Sequence, residues 1–113
     1  MTRVSIIKVE EHQDLYHAVD SAINLIGTFD FKDKKILLKP NCLMDSRNAI
    51  TNPILLGNIA KLVRKKGGYP IIGDSPMSGG KTAQEIYSKV KYKNKSGFEI
   101  INEIENECEW ISF

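Results

Sequence analysis

Two short apolar runs, Ile36-Leu37-Leu38 and Tyr69-Pro70-Ile71-Ile72-Gly73, flank an amphipathic stretch, and this order constrains the fold more than any other feature of the chain. The first run follows Lys34-Lys35 and is cut off by Pro40 just after Lys39, the pattern of a strand covered on both faces. Between the runs, Thr51-Asn52-Pro53 sets a helix start, with Asn52 as N-cap and Pro53 at the first helical position. Leu55, Leu56, Ile59, Ala60 and Val63 then recur at helical spacing, and Arg64-Lys65-Lys66 before Gly67-Gly68 put cations at the negative end of the helix dipole. Strand, helix and strand in succession predict a β-α-β unit with parallel strands and a right-handed crossover.

The flanking segments extend the same alternation. Val4-Ser5-Ile6-Ile7-Lys8-Val9 is short and β-branched and reads as a first strand. Leu15, Val19, Ala22, Ile23 and Ile26 predict an amphipathic helix of about four turns, closed by Gly27 as a left-handed cap. Thr82 with Glu85, and Ser96 with Glu99, carry capping-box spacing ahead of apolar helical patterns. Between those two helices, Lys89, Lys91, Lys93 and Lys95 around Tyr92 read as a solvated loop, while Glu99, Glu103, Glu105, Glu107 and Glu109 mark a wet face. Trp110-Ile111-Ser112-Phe113 closes the chain as a fourth strand. The expected class is α/β, with an open, mainly parallel sheet of about four strands joined by β-α-β crossovers.

Composition narrows the functional classes. The chain has 113 residues, enough for one small domain spanning 1–113, and 16 Lys and Arg against 14 Asp and Glu leave a net charge of +2, no footprint for a nucleic acid. No apolar stretch approaches the roughly 20 residues needed to span a bilayer. The amino terminus runs at once into polar and charged residues rather than a signal sequence, and its two cysteines, Cys42 and Cys108, fit a reduced compartment, so the expected location is the cytoplasm.

Ligands of open parallel sheets bind beyond the carboxyl ends of the strands. Two polar loops fall at that edge: Lys39-Pro40-Asn41-Cys42, and Gly73-Asp74-Ser75-Pro76 with Gly79-Gly80-Lys81-Thr82. They predict a site for a small anionic or metal-chelated ligand. Lys39 would pair with the anion, Asn41 and Ser75 would orient it, Thr51 and Lys81 would line the site, and Asp74 would hold a metal or act as a catalytic base. The alternative is that these residues serve only turn geometry. A nucleotide P-loop is a minor alternative, because the stretch from Gly73 to Gly80-Lys81-Thr82 is two residues too long for that motif. His12 and His17 are five apart and share no helix face, and no Cys-x-x-Cys is present, so no metal or cofactor is expected within the chain. Cys42, with no histidine close in sequence, reads as a small packed residue rather than a nucleophile.

Leu38-Lys39-Pro40-Asn41, the Thr51-Asn52-Pro53 helix start and Gly73-Asp74-Ser75-Pro76 after an apolar strand, taken in this order, resemble the domain-of-unknown-function family numbered 362. Some members of that family carry ferredoxin-like iron–sulfur motifs. The sequence departs from the family pattern at Ile50 and Asn52, where relatives have a Thr and a His, and at Cys42, where they have an apolar residue. The resemblance implies that the chain is the amino-terminal part of a larger domain, with any 4Fe-4S cluster confined to longer members. It also implies the competing function, a structural module supporting an iron–sulfur electron carrier. An aromatic strand at the carboxyl end predicts either self-association or a missing carboxyl-terminal half.

Overall fold

A computed structural model describes residues 2–10, 14–75 and 81–112. His12, Pro76, Gly79, Gly80 and Phe113, on which parts of the sequence reading rest, lie outside them.

Three strands form one parallel sheet: β1 (Lys35–Leu38), β2 (Tyr69–Asp74) and a carboxyl-terminal strand (Glu109–Ser112), in the order first, second, last. Leu38 lies beside Ile72, and Asp74 beside Ser112. Helix α1 (Leu15–Ile26) precedes β1, and α2 (Pro53–Lys65) joins β1 to β2, so the predicted β-α-β unit is present. After β2 come α3 (Ala83–Lys89), an antiparallel hairpin of β3 (Lys91–Tyr92) and β4 (Lys95–Ser96), and α4 (Gly97–Ile104), which leads to the last strand, β5. The class is α/β, with three strands in the parallel sheet where about four were expected.

The helix starts follow their local signals. Asn52 Oδ1 accepts the Ile54 N–H at 2.8 Å with Pro53 in the first turn, and both Thr82–Glu85 and Ser96–Glu99 form reciprocal capping boxes. At the end of α2, Gly67 takes φ 85°, its N–H reaching the Arg64 carbonyl and the Gly68 N–H reaching that of Val63, a Schellman closure that favours glycine. Gly27 differs from expectation. It is nearly fully extended at φ 158° and ψ −172°, so α1 ends without a left-handed cap.

Three further expectations are corrected. Val4 to Val9 forms no strand, and Val4 and Ile6 are 81% and 89% exposed. β-branched residues favour an extended backbone, but a strand also needs a ladder partner, and this segment instead reaches α1 through the Ser5 hydroxyl, which donates to the Ala22 carbonyl at 2.6 Å. The lysine-rich segment around Tyr92 is a hairpin rather than a loop, turned at Lys93 with φ 61°. β1 is also less covered than its apolar run suggests: Leu37 is 48% exposed while Ile36 and Leu38 are half-buried. Ile72 at the sheet centre is buried in one core with Cys42, Leu56, Ile86, Tyr87 and Ile101, and Leu38, Phe98 and Trp110 pack against it.

Candidate functional site

β1 ends at Leu38, with Lys39 just beyond it and Pro40, which has no N–H to continue the ladder, next, while Asp74 is the last residue of the central strand. Parallel pairing brings the two ends side by side. Lys39 Nζ lies 2.7 Å from Asp74 Oδ1, with the lysine side chain 62% exposed and that of the aspartate 10%. Burial pushes the Asp74 carboxyl up, but the bond and charge of Lys39, with the backbone N–H groups of Ser75 and Cys42, outweigh it and hold the group below the usual carboxylate range. Asp74 is therefore an ionised, nearly enclosed anion that aims an exposed ammonium. Ser75 follows it on the surface.

The predicted site residues divide into groups. Lys39, Asp74 and Ser75 come together at the sheet edge. Asn41 and Thr51 pair with each other: the Asn41 N–H donates to Thr51 Oγ1 at 2.9 Å, and the Thr51 N–H to the Asn41 carbonyl at 2.8 Å. This pair closes a loop in which Cys42 bridges Ile50 and a short 3-10 turn spans Arg47–Ala49. The Tyr87 hydroxyl, from a ring with no exposure, donates to the Thr51 carbonyl at 2.7 Å and anchors the loop to the core. Lys81 turns to Asp45 in that loop, Nζ to Oδ2 3.1 Å, and the bond raises the lysine's affinity for its proton. Thr82 is spent on capping α3. The residues Gly79 and Gly80 of the P-loop alternative lie outside the described residues, and its cation and hydroxyl have these other partners.

Cys42 is fully buried, and burial, reinforced by the nearby Asp74 charge, pushes its thiol up to about 11, so it packs rather than attacks. His17 sits on the surface with Nδ1 3.6 Å from Asp14. Among the described residues no group of His, Cys, Asp and Glu is arranged to hold a metal ion, and no helix is long and apolar enough to cross a membrane. Sequence reading overlooked Asp45 and Arg47. Neither sits in a motif, and each acquires a partner only when distant segments meet.

A family model described as Domain of unknown function (DUF362) matches residues 36–107, which take in both strand ends and the loop between them, and the chain belongs to that family. Thylakoid-associated protein sll1697 of Synechocystis sp. (strain ATCC 27184 / PCC 6803 / Kazusa) is 40% identical over 57 residues, 48% of this chain and 18% of that protein, so the chain spans less than a fifth of that relative's length. No solved structure matches.

Proposed function

We propose that the carboxyl edge of the sheet binds a small anionic or metal-chelated ligand, with Lys39 as the primary contact. The observation that carries this reading is the asymmetry of the ion pair: Asp74 is nearly enclosed and Lys39 is mostly open. A lysine ammonium has three donors, and one directed at Asp74 leaves two for a ligand. Asp74, held ionised, suits aiming the ammonium or sharing a chelated cation better than taking a proton, and Ser75 offers a hydroxyl beside it. The two free cysteines fit a reducing compartment, and we place the chain in the cytoplasm on that ground.

Amide chemical shifts in a titration with inorganic phosphate, with and without magnesium, test the reading. Saturable shifts are expected at Lys39, Asn41 and Ser75, weakened about tenfold in Lys39→Ala, the scale of one charge-assisted hydrogen bond. A response absent from those amides, or unchanged in that variant, rejects it.

A further inference from the structure

A cleft of about 520 Å³, lined by Ser46, Arg47, Asn48, Ile50, Asn52 and Tyr92, opens between the 3-10 turn and the β3–β4 hairpin. Its volume lies in the range small-molecule sites occupy. The Arg47 guanidinium lies over the Tyr92 ring, 4.8 Å from its centroid, and among the described residues no carboxylate pairs with it. Among the described residues no acidic side chain lines the cleft. The remaining polar groups can donate. The Ser46 hydroxyl makes no capping bond to the turn, and among the described residues Asn52 bonds only through its oxygen, on the Ile54 N–H, leaving its amide hydrogens to donate. A cation–π contact holds a guanidinium over an aromatic ring without using its N–H groups, which stay available for two parallel bonds to an oxyanion.

We propose that this cleft is a second binding site, for a small molecule carrying a phosphate or carboxylate group, which Arg47 holds in a bidentate pair. The Tyr92 ring positions the guanidinium, and Ile50 and the ring give the ligand body an apolar wall. The site is independent of Lys39, whose partner is Asp74.

Titration of the full chain with inorganic phosphate and, separately, with acetate, followed by amide chemical shifts, tests the proposal. Saturable shifts are expected at residues 46–48 and Tyr92 in at least one arm, and the arm that saturates names the anion class. Arg47→Gln should weaken that binding at least about tenfold, and Arg47→Lys by a smaller factor, because a point charge replaces a two-pronged donor. Arg47 is exposed, so both variants should keep the wild-type spectrum elsewhere. Lys39→Ala should leave the response at 46–48 unchanged. The proposal is overturned if neither anion gives saturable shifts there, if Arg47→Gln binds as the wild type does, or if the response is confined to Lys39 and Ser75.

Discussion

At the scale of single residues, the informative groups are those whose charge or polarity conflicts with their surroundings. Asp74 is the main one. Its carboxyl titrates below its ordinary 3.8 when folded, so it contributes stability above that range and loses the contribution as pH falls through the folded value. Asp74→Asn should cost about 1–3 kcal/mol at pH 7, because a charged acceptor of buried hydrogen bonds is lost. Urea unfolding at pH 7 and at pH 3 checks this: the gap between wild type and variant should narrow at the lower pH. Tyr92 presents the opposite case. Its hydroxyl is buried with no hydrogen-bond partner among the described residues, so Tyr92→Phe should stabilise the chain by about 1 kcal/mol, read as a higher urea midpoint. Cys42, fully buried with its thiol at about 11 against an ordinary 9.0, should react with a disulfide reagent at pH 8 roughly 100-fold more slowly in the folded chain than in urea.

At the scale of elements, stability rests on short closures whose chemistry is local. Gly67 sits at φ 85°, where a Cβ is strained, and Gly67→Ala should cost about 1 kcal/mol although nothing nearer than 3.5 Å crowds the position. Gly97 is limited differently: a Cβ there would lie 2.8 Å from Tyr87 Cδ1, a core ring that also anchors Thr51. Gly97→Ala should therefore destabilise by about 1–3 kcal/mol through overpacking. Thermal unfolding of the two variants reads both losses, and amide chemical shifts separate the mechanisms, since only Gly97→Ala should disturb the 41–51 loop. These closures were legible in the sequence because a cap or a glycine stop is decided within about four residues. The β3–β4 hairpin was not, because Lys93-Asn94 is a weak turn signal and its strands are only two residues long.

At the scale of the whole molecule, the surface is larger than the mass calls for. The accessible area is 7291 Å², against roughly 6,200 Å² for a compact monomer of 12.7 kDa. Part of the excess is apolar, with Val4, Ile6, Leu25 and Leu37 exposed, and β1 and β5 each have only one ladder neighbour among the described residues. The chain should therefore self-associate, with sedimentation equilibrium giving a mass that rises with concentration and falls on Ile6→Lys or Leu37→Lys. A monomer at every concentration would show that the apolar surface is tolerated without a partner.

The sequence by itself determined the elements with strong local signals: the capped starts of α2, α3 and α4, the glycine stop after α2, the two apolar runs of the β-α-β unit, and therefore which loops meet at the carboxyl edge of the sheet. Topology alone placed Lys39 and Asp74 in one neighbourhood. Only the tertiary structure decided the pairings: Lys39 with Asp74, Lys81 with Asp45 rather than with the sheet edge, Arg47 over Tyr92, and Val4 to Val9 held by Ser5 against α1 instead of within the sheet. The physical reason is range. A cap or an amphipathic period is fixed by a few neighbouring residues, whereas the partner of a long cationic side chain or of a β-prone segment is set by which distant residues packing brings beside it.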